Sequence, residues 1–206
     1  MDDEVQKIGI FGMGGVGKTT IMHHINNQLM EMTDKFENVI GVTVSRAFGI
    51  VKLQNEIAEA VTLDLSDCKD EMRRASKLFA VLSHMRNYVP ILDDLWEAFP
   101  LEKVGLPEPT RMNGCKLVLT TRSLKICKKM ECSPIKVELL SEQEALDLLM
   151  IKVARQSVLP PEVLEIAKLV AKKCACLPLA IVTVAGSMKG WRIFTSGEMP
   201  VANDDT

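Results

Sequence analysis

The residues best suited to chemistry lie near the start of the chain, in the stretch GMGGVGKTT at positions 12–20. The stretch fits the pattern G-x-x-x-x-G-K-[ST] through Gly12, Gly17, Lys18 and Thr19. Glycines let backbone N–H groups wrap around a phosphate, and the start of a following helix adds partial positive charge. Lys18 can reach the β- and γ-phosphates, and the Thr19 hydroxyl can bind Mg²⁺. The pattern therefore predicts a site for nucleotide phosphates.

An acidic pair ends an apolar run in NYVPILDDLW, which covers positions 87–96. The glycine-rich pattern is that of a P-loop, and a P-loop needs an acid at the end of a neighbouring strand to hold its metal. Asp93 is predicted to bind Mg²⁺, usually through water, and Asp94 to orient or deprotonate a water near the γ-phosphate. A helix cap or a turn is the alternative for this pair. Because proline donates no hydrogen bond to a sheet, we expect Pro90 near the first position of the strand.

A third candidate follows another apolar run, in the stretch LVLTTR that ends at Arg122. An arginine at the end of the strand beside the P-loop strand can sense the γ-phosphate, since its charge has a partner only where a third phosphate exists. The alternative for Arg122 is a solvated arginine on the surface, because the sequence feature by itself has little specificity.

The elements that must position these residues are apolar runs alternating with amphipathic segments. Five runs are predicted as strands: 5–11, 39–44, the run that ends at the acidic pair, 115–121 and 135–140. Helices are predicted over 18–30, 51–61 and 70–86. The buried face of the third is predicted to contain Met72, Ala75, Phe79, Leu82 and either Met85 or Arg86. Strands alternating with helices predict an α/β fold of the P-loop NTPase type, with a five-stranded parallel sheet flanked by helices.

After residue 140 the pattern becomes helical throughout. Ser141 and Glu144 have the spacing of a capping box, and helices are predicted over 142–155, 161–174 and 178–188. The prolines that open the last two helices suit a first turn. The sequence thus predicts a P-loop nucleotide-binding subdomain over 1–140 and a small helical subdomain over 141–190. Residues 191–206 lose periodicity, and we expect a disordered tail there.

The bulk composition restricts the class of function. The chain has 206 residues, 47% hydrophobic and 25% charged, with a net charge of −2. No sequence-wide basic field favours nucleic acid as a partner. The longest apolar stretch, 177–188, is too short to span a membrane, and no signal-peptide pattern is recognised. The six cysteines form no C-x-x-C pair, so we expect free thiols and a reducing, cytoplasmic location.

Together, the motifs and the predicted elements resemble the NB-ARC domain of plant disease-resistance proteins, a family of STAND P-loop ATPases. The resemblance covers roughly residues 5–188 and rests on blocks in the family's order: GMGGVGKTT, VIGVTVSRAFGIVKLQNEIAEAV, ILDDLWEAFPLEKVGLPEP, GCKLVLTTRS, LLSEQEALDLL and CLPLAIVTVAGSM. Trp96, after the acidic pair, resembles the coiled-coil class of these NBS-LRR receptors. A hydrophobic anchor for its loop is an equally suitable role for that tryptophan.

The resemblance implies a switch that binds ADP at rest and ATP when active, with slow hydrolysis resetting the state. It implies that Asp93 and Thr19 bind Mg²⁺, that Asp94 assists hydrolysis and that Arg122 reads the γ-phosphate. It implies that Pro178 contacts the nucleotide from the helical, ARC1-like subdomain. The residues implied to bind the phosphates form the loop itself: Gly12, Met13, Gly14, Gly15, Val16, Gly17, Lys18, Thr19 and Thr20.

Three functions stay open at this point. The first is an ATP/ADP-binding switch module of a plant immune receptor, at most a slow ATPase, with nucleotide and other receptor domains as partners. The second is a non-hydrolysing receptor fragment that acts as a protein-interaction module and docks on full-length relatives. The third, a metabolic P-loop kinase, needs an acceptor-binding lid with convergent Arg or Asp residues, and the sequence suggests none. Because nothing after residue 190 resembles the family's winged-helix subdomain, we do not expect full receptor function from this chain alone.

Overall fold

A computed structural model describes residues 4–32, 34–44, 49–153 and 161–187. The chain divides into two compact units, the first ending at Glu138 and the second beginning at Leu139. The tail expected over 191–206 lies outside the described residues. The predicted subdomain boundaries stay predictions.

The first unit alternates strands with helices, as the sequence pattern predicts. Its strands form one parallel sheet in the order β2-β3-β4-β1-β5, which confirms the predicted five-stranded α/β fold. The carboxyl ends of parallel strands meet at one edge of a sheet, where ligands of such folds bind. The elements are β1 (Lys7–Phe11), α1 (Lys18–Glu31), β2 (Asn38–Thr43), α2 (Ile50–Ala60), α3 (Glu71–His84), β3 (Tyr88–Leu95), α4 (Leu101–Val104), β4 (Leu117–Thr121), α5 (Leu124–Lys129) and β5 (Ser133–Lys136).

Apolar side chains on the two faces of the sheet make two separate cores. Successive residues of a strand point to opposite faces, so β3 contributes Leu92 to one core and Ile91 to the other. The first core includes Leu78 of α3, and the second includes Met22 and Leu29 of α1. Strand β3 is therefore buried on both faces, and it carries the acidic pair near its carboxyl end.

Pro90 lies deeper in its strand than expected, as the third residue of β3 and between two paired strands. The carbonyl of Tyr88 accepts a hydrogen bond from the N–H of Lys116 at 3.2 Å. Since alternate residues of a parallel strand bond to the same neighbour, the Pro90 nitrogen also faces β4, which begins at Leu117. The expected position was wrong, yet the missing donor falls only where pairing with β4 begins.

Helix α3 buries a face different from the one predicted. Ala75 and Leu82 are buried as expected, but Met72 is 81% exposed and Phe79 is 45% exposed. The buried side contains Leu78, which is fully enclosed. The prediction was wrong at Met72 and Phe79, because the observed buried stripe is rotated around the helix and also contains a charged side chain.

That charged side chain is Arg74, which is only 6% exposed. Its guanidinium donates to the carbonyl oxygens of Leu65 at 3.1 Å and Cys68 at 2.8 Å. It also donates to the Gln54 amide oxygen at 3.1 Å and to the amide oxygen of Asn55. A buried cation is tolerated when its donors are satisfied in this way. No apolar period in the sequence could have predicted this arrangement.

Strand β5 begins and ends earlier than the predicted run 135–140. Its pairing with β1 sets its position, from Ile8 opposite Ser133 to Phe11 opposite Lys136. Pro134 is tolerated because β5 lies at the edge of the sheet. The predicted strand was misplaced because its apolar alternation continues past the point where β1 ends. The short helices α4 and α5 were not predicted, since neither is long enough to show a helical period.

The second unit is a small group of helices, α6 (Glu142–Val153), α7 (Pro161–Lys173) and α8 (Pro178–Ser187). The N–H of Ser141 donates to Glu144 Oε2 at 2.8 Å, and the N–H of Glu144 donates to Ser141 Oγ at 3.2 Å. This reciprocal pair confirms the predicted capping box. Within the described residues, no helix has the length and apolarity needed to cross a membrane. The core of this unit consists of Ala145, Leu149, Ala171, Ile181 and Ala185.

Candidate functional site

The glycine-rich loop joins β1 to α1 at the carboxyl edge of the sheet. Gly15 and Gly17 have φ angles of 82° and 100°, which glycine adopts at no steric cost. Gly12 is tightly packed, since a Cβ there would lie 2.8 Å from the carbonyl oxygen of Val137. A side chain at any of these positions would strain or displace the loop. The loop backbone is therefore free to turn its N–H groups toward an anion.

Lys18 begins α1 and is only 7% exposed. Its Nζ donates to the carbonyl oxygens of Gly12 at 2.9 Å and Met13 at 3.0 Å. Burial lowers the pKa of Lys18 below its ordinary value, and the nearby Arg122 lowers that pKa further, although two aspartates oppose the shift. Both causes disfavour the ammonium charge. The negative charge of a phosphate at this position would offset both causes by favouring the ammonium form, so the lysine is suited to bind one.

The loop and the acidic strand end meet through one hydrogen bond, from Thr19 Oγ1 to Asp93 Oδ2 at 3.0 Å. The second carboxylate oxygen, Asp93 Oδ1, accepts a hydrogen bond of 2.5 Å from the hydroxyl of Thr120. That hydroxyl also accepts the N–H of Asp94 at 2.8 Å. Hydroxyl and carboxylate oxygens are the ligands that Mg²⁺ prefers. The donor set present therefore fits a divalent cation between the loop and β3.

The next residues along the chain form a polar cluster around Asp94. Its Oδ2 accepts a hydrogen bond from the indole Nε1 of Trp96 at 3.0 Å. Its Oδ1 lies 3.8 Å from Nε of Arg122, an ion pair. The guanidinium carbon of Arg122 lies 4.5 Å from the centre of the Trp96 ring. We call these three residues, Asp94, Trp96 and Arg122, the tryptophan cluster.

The structure brings most of the predicted site residues together in the first unit. A Cβ added to Gly14 would lie 3.1 Å from Nη1 of Arg122, so the arginine reaches the loop. Val16 is buried, whereas Met13 and Thr20 are exposed, so these three can offer the phosphates backbone groups or, for Thr20, an accessible hydroxyl. Pro178 lies in the second unit, as the first residue of α8.

Two side chains of the site received no firm role from sequence reasoning, Thr120 and Trp96. Thr120 is fully buried near the end of β4, and Trp96 follows β3 directly. A polar residue near the end of an apolar run was a usable signal for Thr120. Trp96 offered only an aromatic side chain, and its hydrogen bond and ring contact depend on the fold.

The fold and this site define a P-loop nucleotide-binding module. The fold is similar to that of the Aeropyrum pernix ORC1 protein, whose structure was solved in complex with DNA. The TM-score is 0.66 at 17% sequence identity, over 89% of this chain and 54% of that chain. At this level of identity the likeness concerns the fold alone.

The chain belongs to the NB-ARC domain family, whose sequence profile matches residues 1–159. It is 41% identical over 192 residues to a probable disease resistance protein of Arabidopsis thaliana, covering 91% of this chain and 22% of that protein. It is 39% identical to the Arabidopsis disease resistance protein RPS5, with the same two coverages. The chain thus spans about a fifth of the length of these relatives. The resemblance stated from the sequence is confirmed.

Proposed function

We propose that this chain is the ATP/ADP-binding switch module of a plant immune receptor, with slow or negligible ATP hydrolysis. The observation that carries the proposal is the hydrogen bond from Thr19 to Asp93, which joins the loop to the acidic end of β3. P-loop proteins use a hydroxyl from the loop and a carboxylate from a nearby strand to hold Mg²⁺. The six free cysteines support a reducing, cytoplasmic location.

The loop from Gly12 to Thr20 is proposed to hold the phosphates of the nucleotide. The backbone at Gly15 and Gly17 supports this role, because glycine alone adopts those φ angles freely. On binding, Lys18 exchanges its two carbonyl partners for phosphate oxygens, which are stronger acceptors for an ammonium group. The helix dipole of α1 adds to this attraction.

Thr19 and Asp93 are proposed to hold Mg²⁺, which neutralises phosphate charge when it is bound. Thr120 supports this role by donating to one oxygen of Asp93, which leaves the other oxygen beside Thr19. The carboxylate is thereby oriented before any ligand arrives, and pre-orientation lowers the entropic cost of binding. Both side chains use hard oxygen atoms, as Mg²⁺ requires.

Slow hydrolysis follows from the surroundings of Asp94. Its carboxylate accepts a hydrogen bond from the indole N–H of Trp96 and forms an ion pair with Arg122. Both carboxylate oxygens therefore already have a partner, and a water that Asp94 is to orient must compete with them. Arg122 is better placed to read the γ-phosphate, because its guanidinium lies against Gly14 of the loop.

The helical unit is proposed to couple nucleotide state to other receptor domains, with Pro178 contacting the nucleotide. A switch needs a ligand that binds two arrangements with different affinity, and a second unit that touches the nucleotide provides them. A non-hydrolysing protein-interaction module is the second candidate. It is favoured by exposed apolar side chains on α7 and α8, where Ile166, Leu169 and Leu179 are 56%, 61% and 59% exposed.

The test is to denature the purified chain and identify any released nucleotide by chromatography. We expect stoichiometric ADP in the wild type, its loss in Lys18→Arg, and its retention in the control Lys52→Arg, which changes an exposed lysine of α2. Retention of nucleotide by Lys18→Arg would show that the phosphate site is wrongly assigned.

A thermal unfolding series with added Mg-ATP separates the two candidate functions. Ligand at a hundred times its dissociation constant stabilises a protein by about 2.7 kcal/mol, so a binding chain must melt at a higher temperature. A chain that carries no nucleotide and melts unchanged in Mg-ATP favours the interaction module. A turnover rate of about 1–100 per second, as in ordinary kinases, contradicts slow hydrolysis.

A further inference from the structure

We propose that Trp96 is a positioning residue, which holds Arg122 where the guanidinium can meet the γ-phosphate of ATP. The inference rests on the proposed nucleotide switch and extends it to a side chain outside the predicted site. Trp96 contacts both charged groups of the tryptophan cluster, one through its N–H and the other through its ring face. The N–H contact anchors the indole, and the ring contact holds the arginine.

The indole is anchored by Asp94. Its Nε1 lies 3.0 Å from Asp94 Oδ2, and a hydrogen bond to a carboxylate is both strong and directional. Asp94 is itself held, since its N–H donates to Thr120 Oγ1 at 2.8 Å. The plane of the indole ring is therefore set by the end of β3.

The face of that ring holds Arg122. The guanidinium carbon lies 4.5 Å from the ring centre, within the distance at which a cation is attracted to an aromatic face. The Arg122 side chain is 51% exposed. A long exposed side chain samples many rotamers, and ordering it on binding would cost conformational entropy. Stacking on Trp96 orders Arg122 before any nucleotide binds.

The ordered guanidinium faces the loop that would hold the phosphates. Its Nη1 is 3.1 Å from the position of a Cβ on Gly14, which lies in the middle of the loop. The ammonium group of Lys18 lies against the same loop, with its Nζ 3.0 Å from the carbonyl oxygen of Met13, the residue before Gly14. Two cations therefore converge on one place, and the added charge of a third phosphate is what both would bind. Trp96 should accordingly favour ATP over ADP.

A purely structural role for Trp96 predicts a different result. A hydrophobic anchor stabilises the segment after β3 and, when removed, weakens both nucleotides alike. A residue acting through Arg122 affects only the ligand that carries a γ-phosphate, and its effect vanishes when Arg122 is absent. The ratio of the two affinities therefore separates the two roles.

The experiment measures dissociation constants by calorimetry for Mg-ADP and a non-hydrolysable Mg-ATP analogue. We expect Trp96→Leu to weaken the analogue about two- to fivefold relative to ADP. Trp96→Phe keeps an aromatic face, so the relative loss should stay below about twofold. In an Arg122→Ala chain, adding Trp96→Leu should leave the ratio unchanged.

Equal weakening of both nucleotides by Trp96→Leu overturns the inference, as does an undiminished effect of Trp96→Leu in the Arg122→Ala chain. Either result leaves the proposed function intact. A wild-type chain that binds neither nucleotide refutes the proposed function and the inference with it. These outcomes are distinct because the wild-type affinities are measured in the same experiment.

A second measurement leaves Trp96 in place, in case Trp96→Leu does not fold. The chain has two tryptophans, so Trp191→Phe leaves Trp96 as the only one. We expect the ATP analogue to change the Trp96 fluorescence more than ADP does, because only a γ-phosphate brings negative charge to the guanidinium that stacks on the ring. Arg122→Ala should abolish this difference. Equal responses to the two nucleotides, or a difference that survives Arg122→Ala, would also overturn the inference.

Discussion

The hydroxyl of Thr120 contacts both aspartates at the end of β3, and Thr120→Val removes it. The hydroxyl donates to Asp93 Oδ1 and accepts the N–H of Asp94, at 2.5 and 2.8 Å. The side chain is completely buried, so water cannot replace either bond. Valine has nearly the same volume as threonine, which makes the hydroxyl the main difference between the two proteins.

The expected loss of stability follows from these two bonds. A hydrogen bond to an ionised group contributes about 1.5–3 kcal/mol, and a neutral one about 0.5–1.5 kcal/mol. The sum predicts that Thr120→Val lowers the free energy of unfolding by about 2–4.5 kcal/mol. Thr120→Ser keeps the hydroxyl and should recover most of that loss, apart from the cavity left by one methyl group.

The assay is urea unfolding of the chain without nucleotide, followed by Trp96 fluorescence in a Trp191→Phe background. This signal comes from the first unit, which contains the bonds in question. The matched control is Thr121→Val, since Thr121 is equally buried but its hydroxyl accepts only a longer bond, 3.2 Å from the N–H of Ser123. We expect the control to cost about 1 kcal/mol. Equal losses in the two valine variants would refute the reasoning.

Two further predictions concern the cores and the thiols. Arg74→Met leaves several buried acceptors without a donor and should lower the free energy of unfolding by about 3 kcal/mol, as followed by a thermal melt. The control Met72→Ser, on the exposed side of α3, should change that free energy by no more than about 0.5 kcal/mol. A similar cost for both would show that the charged side chain does not support the core. Burial raises the pKa of the Cys115 thiol to about 11 and that of the Cys132 thiol to about 12. Because the thiolate is the reactive form, both cysteines should resist alkylation at pH 8, while the partly exposed Cys174 reacts. Mass spectrometry checks this, and rapid labelling of Cys115 in the native chain at pH 8 would contradict it.

Much of the fold could be predicted because its signals are local. The strand and helix alternation indicated the parallel sheet, and the Ser141–Glu144 spacing indicated a helix start that the structure confirms. The errors arose where an element depends on its neighbours. Strand β5 is placed by pairing with β1, and the buried face of α3 includes Arg74 because acceptors from other segments surround it.

The candidate site shows the same difference between residues fixed by local sequence and residues placed by neighbouring elements. The amino-acid sequence is sufficient to specify the glycine-rich loop, since the glycines, Lys18 and Thr19 are adjacent and their backbone requirements are local. Which groups meet that loop was decided by the tertiary structure. Asp93 and Thr120, 27 residues apart, share a hydrogen bond because β3 and β4 are neighbours whose carboxyl ends lie at one edge. Trp96 meets Arg122 for the same reason, and periodicity along a single chain carries no information about the order of strands in a sheet.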